Sequence, residues 1–457
     1  MGKAASLFYS TNDPDQTLHR RVRPTEQQQT DQQIYWNDLA EYLKHDLAER
    51  TGCAIGTWLQ GSYKFGTQIR PARKGGEFDI DLGVYFKWNG VAEEGSYTAA
   101  ALKNVVQTSL SAYAADVETD ALRVTPPKEF CARIIFSPDF HIDVPAYHEW
   151  DDVRTLASAS DGFRESDPWA IYNWWINKFD DVERDRARRM VRYLKMWAAL
   201  RFDPKTETPP SSILLTVLVA DAYHGSHLSD VSGDDELFST LVKRIATRLD
   251  QSSDKAIPNP ANTKENLNRL GGAYMEFRAK LGTLIDTCEA ALDAPDKTTA
   301  AETWSEAFEH FFPIPEEAGA TAIAEARALV PAFVPEVEVT TELPSGREAV
   351  TRNFAVNVPK DAWLRFRVTN YADLPPNSLV RWTVRNEGAV AEAENDLGHF
   401  SGFGPAAREH AEYHGRHFMD VTVISSGRVI GRRRVPISIL GSSLAAKVKR
   451  LLGGKRR

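Results

Sequence analysis

Two short runs in the first third of the chain alternate between apolar and polar positions, and each carries acids on its polar side. In Phe78 to Phe86, FDIDLGVYF, Ile80 and Leu82 point one way and Asp79 and Asp81 the other, the period of a strand with one face in a core. In Phe140 to Val144, FHIDV, the apolar face is Phe140, Ile142 and Val144 and the polar face His141 and Asp143. Helical spacing predicts a helix from about Glu26 to Arg50, with Ile34, Leu39, Tyr42, Leu43 and Leu47 on its apolar face, and a second from Ser96 to Ala115. Leu122 to Val124 and Ala132 to Phe136 read as strands. This order implies a small mixed sheet with helices on one side.

From Pro168 to about Leu329 the pattern turns helical. Within Asp181 to Phe202, an apolar stripe of Met190, Val191, Leu194, Trp197 and Ala198 runs beside Arg184, Arg188, Arg192 and Lys195. Charge pattern alone reads those basic residues as a solvated face. Pro331 and Pro335 mark a boundary, after which strand-like alternation returns in WLRFRV (Trp363 to Val368), LVRWTV (Leu379 to Val384), FMDVTVI (Phe418 to Ile424) and RVPISIL (Arg434 to Leu440). These strands predict a β-sandwich with an immunoglobulin-like outline.

The chain has 457 residues, 42% hydrophobic and 26% charged, room for two or three domains of ordinary globular composition. No run approaches the roughly 18 apolar residues that a membrane span needs. The start, MGKAASLFYSTNDPDQ, lacks the apolar core of a secretory signal. Three scattered cysteines, Cys53, Cys131 and Cys288, fit a reducing compartment rather than a disulfide framework, so the cytoplasm is expected. A net charge of -8 argues against polyanion binding by the whole surface, and no stable nucleic-acid complex is expected.

Asp79 and Asp81, two residues apart on one face, repel each other unless a cation sits between them, and a hard cation with oxygen ligands suits them best. Magnesium is the expected ion. Asp143 would join them from a neighbouring strand, and three carboxylates can clamp two such ions, the arrangement of two-metal nucleotidyl transfer. Upstream, the turn at Gln60, Gly61 and Ser62 follows the apolar Trp58 and Leu59. Gly61 permits a tight turn, and backbone amides with the Ser62 hydroxyl can cradle phosphate oxygens.

The run GSYKFGT, then Arg70 and Pro71, then EFDIDL and the distant Asp143 resembles the polymerase-beta type nucleotidyltransferase superfamily. With GT after GS and with FDIDL it is similar to the cyclic GMP-AMP synthase and DncV-like nucleotidyltransferases of bacteria, relatives of oligoadenylate synthase. The resemblance implies a fold of α/β plus α class: a nucleotidyltransferase core over residues 1–165 and a helical domain of the oligoadenylate-synthase and poly(A)-polymerase type over residues 166–330, completing a nucleotide cleft. It also implies Asp79, Asp81 and Asp143 as catalytic metal ligands for two Mg2+ ions, with Mn2+ able to substitute, and Gln60, Gly61, Ser62, Lys195 and Ser211 as nucleotide ligands. Pro209 and Pro210 stop the preceding helix, so Ser211 also reads as a cap, with Ser212 the alternative. The implied product is a cyclic di- or trinucleotide signal made from ATP, with or without other nucleoside triphosphates, in antiphage defence, under an unidentified activating ligand or protein. Residues 334–441 resemble the adenylyl/guanylyl and SMODS C-terminal sensor domain. Rival readings are a transferase that modifies RNA or protein and a catalytically silent sensing module.

Several other features have plain readings. His141 and His148 flank Asp143, but no cysteine is near and the spacing fits no closed tetrahedral zinc set. Trp174 and Trp175 read as core. Thr67 and Arg70 read equally well as phosphate-orienting groups or as a turn and a solvated arginine. The tail over residues 442–457 is basic and expected to be solvated.

Overall fold

Thr25 starts the Glu26–Thr51 helix with a capping box: its hydroxyl accepts from the Gln28 N–H at 3.1 Å, and Gln28 accepts from the Thr25 N–H at 2.8 Å. Leu39, Leu43 and Leu47 are buried on its inner face. Ile34, expected on that stripe, is 59% exposed, because five residues of helix turn it about 140° away from Leu39. Thr98 caps the Ala99–Ala115 helix, whose Leu102, Val106 and Leu110 join the same core.

The computed structural model describes residues 2–440 apart from 117–118, 138–139, 224–230, 232, 253, 316–332, 344–345 and 426–427. The basic tail, the last part of the expected helical stretch and Pro331 lie outside the described residues. Two compact units emerge, Val22–Ile285, and Met1–Arg21 together with Asp286–Arg457.

The first unit is built on a sheet of eight strands: β1 (Ala54–Gln60), β2 (Phe78–Lys87), β3 (Arg123–Val124), β4 (Ala132–Ser137), β5 (Phe140–Val144), β6 (Ala146–Trp150), β7 (Val153–Ala157) and β8 (Phe163–Glu165). Their order is β3-β4-β5-β2-β6-β7-β8, with β1 paired to β2. β5 and β6 succeed one another along β2 in constant parallel register, Asp81 opposite Asp143 and Val84 opposite Ala146, and Pro145 separates them. One face of this sheet buries Ile80, Leu82, Val84, Phe86, Ile142 and Val144 beneath the two helices. A helical segment follows, including Pro168–Lys178, Asp181–Arg201, Ser212–Tyr223, Asp234–Gln251 and Tyr274–Leu292. A hairpin of Pro258–Asn259 with Asn262–Asn266 interrupts it, a correction to the unbroken helical reading: this polar stretch lacks a stripe to bury. Trp175 is fully buried, as read, whereas Trp174, expected in the core with it, is only half-buried, with Lys178 Nζ 4.9 Å from its ring centroid.

The second unit holds a four-stranded sheet (Val337–Glu342, Glu348–Arg352, Trp363–Val368, Ala406–His410) and a five-stranded one (Ala355–Val358, Leu379–Asn386, Gly398–Phe403, Gly415–Ser425, Arg428–Ile439). Val337, Val339, Leu364 and Phe366 from the first share a core with Trp382, Met419, Val421 and Val435 from the second, a sandwich. Phe8, near the start of the chain, is fully buried in this unit, its ring 4.8 Å from Trp304 and 5.2 Å from Phe312. Among the described residues no helix is long and apolar enough to cross a membrane.

Candidate active site

The parallel register of β2 and β5 sets Asp79 opposite His141 and Asp81 opposite Asp143. Parallel neighbours lie about 4.8 Å apart and share a face, so the four polar side chains form a compact square while Phe78, Ile80, Phe140 and Ile142 anchor the other side. The three acids expected together are together. Burial first, and then the charges of Asp79 and Asp143, push the Asp81 carboxyl up to about 7. Asp143 is 9% exposed, and burial alone would raise it too. Arg133 outweighs this by gripping both carboxylate oxygens, with Nη2 2.8 Å from Oδ2, and Lys128 adds its charge at 3.3 Å, so Asp143 stays below the usual carboxylate range. Lys103 holds the loop that presents Lys128, donating to the Lys128 and Glu129 carbonyls at 2.6 and 2.7 Å.

His141 completes the square. It is 4% exposed, with Nδ1 2.6 Å from Glu77 Oε2 and Nε2 3.0 Å from Asp79 Oδ1, yet neither ring nitrogen has a partner in hydrogen-bond geometry. Asp79, His141 and Asp143 each offer a ligand atom, all within 4.8 Å of one another. Oxygen donors, uncompensated repulsion at Asp81 and a buried imidazole aimed at the acids make the group fit for a divalent cation. His148, by contrast, is structural: Nε2 lies 3.1 Å from the Trp88 carbonyl and the two rings are 4.1 Å apart.

Gly61 abuts the acids. At φ +59° it leaves β1 for the short helix Gly61–Phe65, and a Cβ there would sit 1.9 Å from Asp81 Oδ2. Ser62 is half-buried, and its carbonyl accepts from the Thr67 N–H at 2.9 Å. Gln60 has a different engagement: its amide donates to Tyr85 at 2.8 Å and accepts from Tyr147 at 3.1 Å. Gly83 makes room for it, since a Cβ there would meet the Gln60 amide nitrogen at 2.0 Å.

The basic side of the Asp181–Arg201 helix is not a solvated face. Arg188 donates to the Phe65 carbonyl at 3.0 Å, Arg192 to that of Gly66, and Lys195 to that of Thr67 at 3.1 Å. Three cations at helical spacing thus serve three successive carbonyls at the C-terminal end of the Gly61–Phe65 turn, where the backbone dipole is negative. Lys195 is 6% exposed; burial and then the Arg192 charge lower it to about 7, against the pull of Asp79 and Asp81. Ser211 is exposed, and its hydroxyl accepts from the Leu214 N–H at 3.3 Å, so the contact it makes is the capping one. Thr67 and Arg70 are 1% and 0% exposed, and Arg70 Nε donates to the Arg23 carbonyl at 3.0 Å, which rules out the solvated-arginine reading.

Arg133, Lys128 and Glu77 were missed in the sequence, since nothing local marks them. His141 had a signal: it shares the polar face of its strand with Asp143. Another unread feature is the stack of Trp58 on Trp169, centroids 4.8 Å apart, with Lys64 5.2 Å above Trp58.

Residues 56–147 match the cyclic GMP-AMP synthase DncV-like nucleotidyltransferase domain, and residues 331–440 match the adenylyl/guanylyl and SMODS C-terminal sensor domain. A cyclic GMP-AMP synthase of Escherichia albertii is 29% identical over 443 residues, covering 95% of this chain and 96% of the relative. A c-di-GMP synthase of Roseivirga ehrenbergii is 25% identical over 260 residues, 50% of this chain and 64% of the relative. Among solved structures, Vibrio cholerae DncV with the linear intermediate 5' pppA(3',5')pG superposes with a TM-score of 0.56 at 18% identity, over 68% of this chain and 98% of that one. In fold, domain matches and relatives the chain is similar to the nucleotidyltransferases of the cyclic GMP-AMP synthase and DncV-like family, with a C-terminal segment similar to the adenylyl/guanylyl and SMODS sensor domain.

Proposed function

We propose that this protein is a magnesium-dependent synthase of a cyclic di- or trinucleotide second messenger, made from ATP and other nucleoside triphosphates in bacterial antiphage signalling. The observation that carries this reading is the gathering of Asp79, Asp81 and Asp143 on one sheet face against Gly61. The relatives support the product class, being named cyclic GMP-AMP and c-di-GMP synthases, and the linear intermediate in the Vibrio cholerae structure supports two successive transfers. The domain matches at residues 56–147 and 331–440 support a catalytic core and a sensor inside the proposed bounds 1–165 and 334–441, with a helical domain proposed for 166–330, while Met1–Arg21 falls in the same compact unit as the sensor. Cys53, Cys131 and Cys288 are in no disulfide, which accords with a cytoplasmic setting.

Asp79 and Asp81 would hold both ions, and Asp143 the one nearest the attacking ribose hydroxyl. Bound magnesium supplies charge neutralisation for the triphosphate and makes that hydroxyl easier to deprotonate. Gly61 lets the nucleotide approach Asp81, Ser62 offers its hydroxyl to phosphate, and Lys195, already held beside the turn, contributes positive charge. Positioning and charge compensation are most of the protein's contribution to such a transfer.

The test is incubation of purified protein with the four ribonucleotides and Mg2+. A small, phosphatase-resistant product is expected, because cyclisation leaves only internal phosphodiesters. Label appearing only on added RNA or protein, in an enzyme shown to be active, would replace this reading with that of a macromolecule-modifying transferase.

A further inference from the structure

We propose that His141 is itself a metal ligand, forming with Asp79 and Asp143 a mixed carboxylate and imidazole site that takes a first-row transition ion, Mn2+ or Co2+, in preference to Mg2+. This rests on the nucleotidyltransferase reading and goes beyond its three-carboxylate set.

The geometry is that of a histidine held for a cation. Asp79, His141 and Asp143 bring their ligand atoms within 4.8 Å of one another, the separation expected around a shared ion. The imidazole is 4% exposed, and although a carboxylate oxygen lies close to each ring nitrogen, neither nitrogen is in hydrogen-bond geometry, a costly arrangement for a buried polar ring. Its two nitrogens face different groups: Nε2 is 3.0 Å from Asp79 Oδ1, and Nδ1 is 2.6 Å from Glu77 Oε2. A carboxylate behind the second nitrogen is the usual device for fixing the tautomer and raising the basicity of a metal-bound histidine. Glu77 is suited to that position, lying one residue before β2 begins and two before Asp79.

Donor chemistry then selects the ion. Mg2+ favours oxygen ligands in strict octahedral geometry and gives up its waters reluctantly. Imidazole nitrogen shifts preference towards later first-row ions, while the two carboxylates keep the site suitable for Mn2+. Asp81, on the same face opposite Asp143, remains an oxygen donor for a second, harder ion.

The experiment uses the full chain loaded with Mn2+ and, separately, Co2+. Pulsed electron paramagnetic resonance of the Mn2+ protein should reveal nitrogen coupling from one imidazole, and competition should show Mn2+ displacing Mg2+ at equal concentration. His141→Asn should abolish the coupling and the preference for Mn2+. Glu77→Gln should keep the coupling but weaken Mn2+ binding by about tenfold. The visible bands of the Co2+ protein should shift in the His141 variant. Absence of nitrogen coupling in the wild-type protein, or an unchanged Mn2+ affinity in His141→Asn, overturns the proposal, and the wild-type measurement decides alone if the variant does not fold. Product formation with Mg2+ tests the synthase reading separately. An active enzyme without nitrogen coupling removes only His141, and an inactive one with coupling removes only the synthase.

Discussion

Asp81 in the first unit and Asp420 in the second both sit on strands and are both penalised by burial, yet their acidities move in opposite directions. Asp81 is pushed up to about 7, since the nearest charges after desolvation are Asp79 and Asp143. Asp420 is held well below the carboxylate range despite its burial, because Arg434 reaches both of its oxygens at 2.9 and 3.1 Å and Arg385 donates as well. Arg385 also donates to the Phe312 carbonyl at 2.7 Å, tying that ion pair into its unit. Where the fold encloses a carboxylate between two guanidinium groups, as at Asp420, the carboxylate is part of the architecture. Where the burial and repulsion of neighbouring carboxylates outweigh the charges of Arg133 and Lys195, as at Asp81, the charge is left for a ligand.

The largest effect should come from the unpaired side of this comparison. Asp81→Asn combined with Asp79→Asn should reduce nucleotidyl transfer about a thousandfold or more, since metal-held charge stabilisation is worth several kcal/mol. Its melting temperature should stay level or rise, because repulsion is relieved. Steady-state kinetics with calorimetric melting checks both, and a stable variant with wild-type turnover would break the contrast.

Next, Asp420→Ala should destabilise its unit by about 3–5 kcal/mol, because Arg385 and Arg434 are left buried without their partner. Urea unfolding measures this. A loss below 1 kcal/mol would mean that the cluster is not structural.

The two acids should also give opposite pH signatures. The folded state of Asp81 binds its proton more tightly than an unfolded carboxylate, so stability should fall as pH rises from about 4 to about 7 and level off above. Asp420, depressed when folded, contributes fully above the unfolded value and loses its contribution only as pH falls below about 4. Melting curves in chelator from pH 4 to 8 should slope downward, and Asp81→Asn should flatten them. An unchanged slope in that variant would assign it to other groups.

The smallest effect concerns the basic clamp. Lys195→Ala should weaken nucleotide binding about tenfold, the worth of one charge-assisted hydrogen bond. Calorimetric titration with a non-hydrolysable triphosphate checks it, and equal affinity would make Lys195 purely a support for the Thr67 carbonyl.

Period-two alternation determined which face of β2 and of β5 carries acids, because backbone pleating alone sends neighbouring side chains to opposite sides. Thr25 and Gln28 set the start of the first helix for an equally local reason, and the sandwich strands announced themselves by the same alternation. Ile34 shows how far this reaches, since a stripe counted loosely along a helix admits a residue that the helix turns outward.

Tertiary structure alone decided the partners. The pairing of Asp81 with Asp143 joins strands far apart in the chain, and Arg133, Lys128, Glu77 and His141 acquire their roles only through that register. Gly61 is legible as a turn, but its need to be glycine comes from the Asp81 carboxylate packed against it. Arg188, Arg192 and Lys195 read as a surface stripe until the fold brings the carbonyls of Phe65, Gly66 and Thr67 to them. Local spacing fixes the direction of a side chain, whereas its charge environment depends on which distant segment the buried core draws against it.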